Sequence, residues 1–252
     1  MKLFFQKYGE GKPLVILHGL FGGSDNWLTL GKKLADDNAV YLVDQRNHGR
    51  SPHSDEMNYD LMAGDLNRFI EREELKSPVI IGHSMGGKTA MRFAQLFPGK
   101  ADKIAVIDMG VKTYEPHHGP VLEALKAVKP ESLTSRKDAE EQMKPHMPDF
   151  GVRQFLLKSL YRKDRDTFAW RINIPVLEAA MPQILEALPE EPVDIPALFV
   201  AGTKSDYINP EDHAEIRKIF PRAKFTELPA GHWVHAEDPD GLEEVLRKFV
   251  TE

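Results

Sequence analysis

Pro78-Val79-Ile80-Ile81-Gly82-His83-Ser84-Met85-Gly86-Gly87 sets a short apolar run directly against a G-x-S-x-G string, and a helix-like segment follows from Gly87. A strand that turns sharply into a helix lifts the residue at the turn clear of the sheet edge. Only glycines on either side let the two backbones come that close. The placement makes Ser84 a candidate nucleophile. After it Ala90, Ala94 and Phe97 recur at i, i+4 and i+7, an apolar helix face suited to lie on a sheet.

On both sides of this segment, short apolar runs alternate with amphipathic ones. Leu14-Val15-Ile16-Leu17, Val40-Tyr41-Leu42-Val43, Ile104-Ala105-Val106-Ile107 and Ala197-Leu198-Phe199-Val200 read as buried strands. Met62, Leu66, Phe69 and Ile70 mark one helix, and Leu242, Val245, Leu246, Phe249 and Val250 mark a closing one. The alternation predicts an α/β fold: a mostly parallel central sheet with helices on both faces, binding ligands at the C-terminal ends of its strands. It breaks between Val111 and Pro192, where Pro116, Pro120, Pro130, Pro145, Pro148, Pro175, Pro182 and Pro189 punctuate short helical stretches. The expected organisation is a core built from residues 1–110 and 193–252, with a helical cap insertion, 111–192, lying as a lid over the sheet edge.

Composition narrows the function. Acidic residues outnumber basic ones, 39 to 33, for a net charge of −6 without a basic stripe, so a nucleic acid partner is not expected. The apolar runs fall far short of the ~20 residues of a membrane span. Met1 to Tyr8 lacks the apolar length and small-residue cleavage site of a signal peptide. The absence of cysteine excludes disulfides, thiolate catalysis and Cys-type metal sites. These features predict a cytoplasmic protein. No metal is expected at His117-His118, whose side chains, as neighbours, should diverge.

Four segments occur in a telling order: His18-Gly19-Leu20-Phe21-Gly22, Asp44-Gln45-Arg46-Asn47-His48-Gly49-Arg50-Ser51, Gly82 to Gly87, and Gly231-His232-Trp233-Val234-His235-Ala236. Together they resemble the α/β-hydrolase fold across nearly the whole chain. Their wording is most similar to the small esterase and thioesterase group that includes YbfF-type esterases and abhydrolase-domain-11 proteins. The resemblance implies ester or thioester hydrolysis by a serine triad, with no cofactor.

The residues support that chemistry independently. A serine hydroxyl needs a base to take its proton and donors to hold the oxyanion that forms. Among ten histidines, His232 stands in a Pro-Ala-Gly-His turn after the last strand-like run, Lys224 to Leu228, and so at the reactive edge late in the chain. His235 reads as a packing or capping residue. His18, His48 and His83 read as hydrogen bonders that order loops, and Arg46 as a buried loop anchor. Two aspartates compete to orient His232. Asp206 follows the penultimate strand, the position most members of the fold use; Asp108 follows the strand after the nucleophile helix, where the YbfF-like group carries its acid, and is ranked first. The oxyanion donors should be the backbone N–H groups of Leu20 and Met85.

Phe21, Phe155, Trp170 and Trp233 are expected to wall the substrate pocket. Tyr114, Met143, Met147, Phe150, Tyr161, Phe168 and Met181 add to the apolar content of the insertion, which suits a flexible acyl group. The leading expectation is a serine carboxylic-ester hydrolase acting through an acyl-enzyme on a small-molecule ester or thioester. A small-molecule receptor with slow turnover, a carbon–carbon bond hydrolase and a cofactor-free peroxidase share the same scaffold and triad and remain the alternatives.

Overall fold

The computed structural model describes residues 1–165 and 167–252. Seven strands form the main sheet: β1 (Phe5–Tyr8), β2 (Lys12–Leu17), β3 (Asn38–Val43), β4 (Val79–His83), β5 (Lys103–Ile107), β8 (Ala197–Gly202) and β9 (Ala223–Leu228). Their order across the sheet is β1-β3-β2-β4-β5-β8-β9, and only β1 runs antiparallel to its neighbour. Strands β3 and β4 are buried at every position, as strands covered on both faces must be. β1 is the strand that apolar patterning misses, because its Phe5-Gln6-Lys7-Tyr8 sequence sits half-buried at the sheet edge.

Helices α1 (Leu28–Leu34) and α11 (Pro239–Thr251) cover one face, where Leu30, Leu34, Leu242, Leu246 and Phe249 join Ile16, Leu42 and Ile81 in one core. Helices α2 (Tyr59–Arg72) and α3 (Met85–Leu96) cover the other, burying Leu66, Phe69, Ala90 and Phe93 against Val15, Ile80 and Val106. Each valine, leucine, isoleucine or phenylalanine among them, taken fully out of water, contributes about 1.5–3 kcal/mol. Asn58 starts α2 by accepting the Leu61 N–H on its side chain.

Between β5 and β8 the chain builds α4 (Gly119–Ala127), α5 (Arg136–Met143), α6 (Phe150–Leu157), a hairpin of β6 (Leu160–Arg162) and β7 (Phe168–Trp170), α7 (Ile174–Ala179) and α8 (Met181–Leu185). This layer has its own core. Leu125, Ala139, Met143, Leu156, Leu160 and Leu177 are buried in it, and Phe21, Met62 and Met85 join it from below. Two short helices complete the fold, α9 (Asp212–Ile219) and α10 (Val234–Glu237). Among the described residues, no helix is long and apolar enough to cross a membrane.

Candidate active site

Ser84 lies between β4 and α3 with φ 52° and ψ −120°, a backbone conformation that side-chain-bearing residues rarely adopt. Its neighbours permit the turn. A Cβ on Gly82 would lie 2.1 Å from the Gly86 carbonyl oxygen, and one on Gly86 would lie 2.4 Å from that of Leu17. The Ser84 N–H donates to Ile107 O at 3.0 Å, while its own carbonyl accepts from Gly87 and Lys88 at 2.8 and 3.1 Å. The side chain is thereby fixed at the C-terminal edge of the sheet, at the start of a helix.

The loop after β9 brings His232 to the same point. Its Nε2 is 3.0 Å from Ser84 Oγ, and its Nδ1 is 2.7 Å from Asp108 Oδ2. A carboxylate only accepts, so Nδ1 carries the proton it donates and Nε2 is free to accept from the serine hydroxyl. Asp108 follows β5 with φ 49° and is fully buried. Its Oδ1 also accepts from Gly202 N at 3.0 Å and its Oδ2 from Ser205 Oγ at 2.5 Å. Asp206, by contrast, is exposed, and the bond at this residue is to its backbone carbonyl, from Asn209 Nδ2 at 3.2 Å. The structure therefore brings Ser84, His232 and Asp108 together and leaves Asp206 outside. The penultimate-strand loop instead turns Ser205 towards the buried carboxylate.

Leu20 follows the β2 loop and Met85 opens α3, so their N–H groups lie at the edge that carries Ser84; neither donates to a backbone carbonyl outside regular structure or to a side chain among the described residues. His48 holds the Leu20 loop. Its Nδ1 donates to Arg46 O at 2.8 Å and its Nε2 accepts the Phe21 N–H at 3.2 Å. His18 donates to Gly19 O through Nδ1 and accepts from Gln45 N through Nε2. His83 donates through Nε2 to the His232 carbonyl at 2.8 Å, fixing the backbone that carries the base. His235 stacks on Trp27 at 4.6 Å.

Burial disfavours the charged form of these rings. It pushes His18 down to about 4, His48 and His235 to about 3, His118 to about 4, and His83 well below its ordinary range. They stay neutral at pH 7, so the protons they share are structural. Arg46, 5% exposed, donates from Nε to Asp65 Oδ2 at 2.7 Å. Burial alone would raise the Asp65 carboxyl, but the bonds from Arg46, the N-terminal ammonium and Arg68 outweigh it and hold it below the usual range.

Above Ser84 lies a cavity of about 180 Å³, walled by Phe21, Val121, Met147, Phe155, Trp233 and Tyr207 among others. Phe155 and Trp233 meet at 5.5 Å between ring centres. Trp170 does not face it: β7 turns this residue into the helical layer, where it packs on the buried cluster. Met147 reaches the wall, and Val152 and Leu156 of the insertion line it as well. Met143, Phe168 and Met181 are consumed by the layer's core, and Phe150 is 61% exposed. The His117 and His118 side chains do not diverge. Their rings lie 4.1 Å apart over the cavity, and His117 Nε2 bonds the Tyr207 hydroxyl at 2.8 Å. Among the described residues, no group of three His, Asp or Glu side chains could hold a metal ion.

Motif reading passes over two further residues, one against the site and one behind it. The Tyr207 ring stacks on His232 at 3.9 Å and 17°. Lys88, one turn into α3 from Ser84, is fully buried. A lysine inside the apolar face of a helix is the signal that marks it in sequence; Tyr207 carries no such signal.

A parallel sheet crossed by helices, with a serine elbow, a histidine and an aspartate meeting at its C-terminal edge, defines a hydrolase of the α/β class. The chain belongs to the α/β hydrolase family, whose model matches residues 14–245. It is an esterase-type member by its relatives. It is 36% identical to esterase YbfF of Escherichia coli over 251 residues, covering 98% of this chain and 96% of that one. It is 38% identical to sn-1-specific diacylglycerol lipase ABHD11 of Mus musculus over 249 residues, covering 94% and 80%. The solved structure of a marine microorganism esterase superposes with a TM-score of 0.96 at 43% identity, covering 99% of both chains.

Proposed function

We propose that the protein hydrolyses small carboxylic esters through an acyl-enzyme, with Ser84 as nucleophile, His232 as base and Asp108 as orienting acid. The observation that carries this reading is the unbroken hydrogen-bond chain, 3.0 Å from Ser84 to His232 and 2.7 Å from His232 to Asp108, on the floor of a largely apolar cavity. Ser84 Oγ attacks the ester carbonyl as His232 Nε2 takes its proton. Asp108 stabilises the imidazolium and keeps Nδ1 protonated. The N–H groups of Leu20 and Met85 receive the oxyanion. His232 then gives its proton to the leaving alkoxide, and water, deprotonated by the same nitrogen, releases the acid. A thioester passes through the same tetrahedral intermediate, so acyl thioesters belong to the same substrate class.

Residues 111–192 serve in this reading as the cap that sets acyl preference, through Phe155 and Met147, over a core of 1–110 and 193–252. The chain's lack of cysteine accords with a reducing, cytoplasmic setting. The test is labelling by a fluorophosphonate probe, with turnover of p-nitrophenyl esters from acetate to palmitate and of acyl-CoAs measured beside it. Labelling should map to Ser84, and Ser84→Ala should remove both labelling and turnover. A probe adduct on another residue, or turnover that survives the substitution, overturns the reading. A single burst followed by negligible steady turnover would favour a receptor on this scaffold.

A further inference from the structure

Lys88 places an ammonium where its hydrogen-bond acceptors are all backbone carbonyls. Its Nζ donates to Lys112 O at 3.1 Å, to Leu185 O at 3.4 Å and to Glu186 O. It also lies over the rings of Tyr59 and Tyr114, 5.8 and 5.1 Å from their centres. Those three carbonyls belong to the two stems of the helical layer, one stem leaving the sheet after Asp108 and the other returning to it from the last residue of α8, Leu185. The stems are paired with each other: Tyr114 N donates to Leu185 O and Leu188 N to Val111 O, both at 2.9 Å. Lys88 thus ties the place where the layer leaves and re-enters the core to the helix that begins at Ser84.

The tie continues to the base. The Tyr114 hydroxyl accepts from Gly110 N and donates to Tyr207 O, both at 2.7 Å. Tyr207 is the residue whose ring lies flat on His232. The Tyr59 hydroxyl, on α2, adds a bond to Ile184 O at 2.8 Å in the last turn of α8.

We propose that Lys88 is a positioning residue: it latches both stems of the helical layer to the nucleophile helix, and so sets the acyl-binding wall above Ser84 and, through Tyr114 and Tyr207, the plane of His232. The inference rests on the reading of Ser84 and His232 as nucleophile and base. The latch requires charge. An ammonium has three N–H donors for the three carbonyls and a charge that strengthens each bond, whereas a neutral amine has two, gives up the 3.4 Å bond to Leu185 O, which keeps its Tyr114 N–H donor, and holds Lys112 O and Glu186 O with weaker uncharged bonds. The groups facing it are the carboxylate of Glu186 on the returning stem, the neutral phenols of Tyr59 on α2 and Tyr114, and the Lys112 ammonium, which Asp212 neutralises at 2.6 Å. One turn along α3, Arg92 is paired with Asp60 and Glu191. Burial, opposed by a smaller upward pull from Glu186, lowers the Lys88 ammonium to about 7, so its proton is exchanged within the range of an ordinary assay.

The experiment measures kcat and KM for p-nitrophenyl acetate and octanoate from pH 6.5 to 9, for the unaltered protein, Lys88→Met and Tyr114→Phe. Fluorophosphonate labelling and circular dichroism accompany each. Lys88→Met should lose about tenfold in kcat/KM on octanoate, carried by KM, and clearly less on acetate. The octanoate-to-acetate ratio of the unaltered protein should fall with rising pH towards the flat, low ratio of Lys88→Met. An unchanged ratio and pH profile in Lys88→Met overturn the latch, whatever its melting temperature. Should Lys88→Met not fold, Tyr114→Phe decides: a fall of severalfold in kcat on both esters at unchanged KM supports the coupling to His232, and unaltered kcat overturns it. If the unaltered protein fails to label at Ser84, the nucleophile reading falls and takes this inference with it. Normal labelling with unmoved kinetics removes the latch alone.

Discussion

Asp108→Asn is the substitution whose consequence the geometry fixes most tightly. The carboxylate accepts from Gly202 N on Oδ1 and from both Ser205 Oγ and His232 Nδ1 on Oδ2. An asparagine has one oxygen and one NH2 to fill those places. With its oxygen towards His232, the NH2 faces the Gly202 N–H at 3.0 Å, donor against donor in a fully buried site. The opposite orientation keeps the Gly202 bond and lets the NH2 donate to Ser205 Oγ and to His232 Nδ1. That arrangement makes Nδ1 an acceptor and moves the ring proton to Nε2, where it points at Ser84 and cannot receive the serine's proton. A triad forced into that tautomer loses on the order of 10⁴ in kcat, or ~5 kcal/mol of barrier. Asp206→Asn alters an exposed side chain away from His232 and should change kcat by less than about threefold. The assay is steady-state hydrolysis of p-nitrophenyl butyrate with circular dichroism on both variants. Should Asp108→Asn keep more than about a hundredth of kcat, or Asp206→Asn fall as far, the tautomer argument fails and the acid is misassigned. If both lose part of kcat, a double variant exposes by its non-additivity whether the carboxylates substitute for each other.

Phe155→Ala, which opens the cavity wall beside Trp233, should shift acyl preference towards longer chains, read as the ratio of octanoate to acetate kcat/KM. Trp170→Ala should instead lower stability by about 1–3 kcal/mol with little change in that ratio, because half-buried Trp170 packs against the core of the helical layer; an equal change in selectivity from both variants would contradict the placement. Acid should destabilise the fold early. A histidine whose folded pKa is depressed takes its proton first in the unfolded chain, so stability falls as the pH drops below about 6.5, until about 4 for His18 and His118 and about 3 for His48 and His235. Each contributes a slope approaching 1.4 kcal/mol per pH unit, and urea denaturation that gave the same stability at pH 7 and pH 5 would refute the neutral, buried state of these rings.

What could be read in the sequence was whatever a local pattern enforces. Gly82 and Gly86 are required by backbone contacts within a few residues of Ser84, so the elbow is written in five letters. The histidine followed from its place after the last strand. The choice of acid did not, because Asp108 and Asp206 both follow strands of the parallel sheet. It depends on which side chain turns into the gap between β5 and β8, and there a serine two residues before Tyr207 faces the carboxylate. Lys88 and Tyr207 act through contacts 97 and 98 positions away or across separate loops, beyond any periodicity. Trp170 is expected on the pocket wall and does not reach it for a plain reason: a helical layer must bury its own core before it can line anything, and Trp170 packs on that core with Phe168 and Met181. Three-residue strands such as β6 and β7 are too short to show alternation.

Backbone strain is distributed with the chemistry. Six non-glycine residues have positive φ among those described: Phe21, Asn47, Glu74, Ser77, Ser84 and Asp108. Four of them stand in or beside the site. Conformations of this kind cost of order 1–3 kcal/mol each and persist only where the surroundings over-determine them. Ser84 is held by Ile107 O and by the two α3 amides on its carbonyl, Asp108 by Val200 O and the donors on its carboxylate, Phe21 by His48 Nε2, and Asn47 by Asn173 N on its carbonyl and Ser54 N on its side chain. Glycine would relieve the strain at any of these positions, but at Ser84 and Asp108 the side chain is the functional group. The fold therefore keeps a strained residue at both positions and holds its backbone from neighbouring strands and helix, through Ile107 O and the α3 amides at Ser84 and through Val200 O at Asp108.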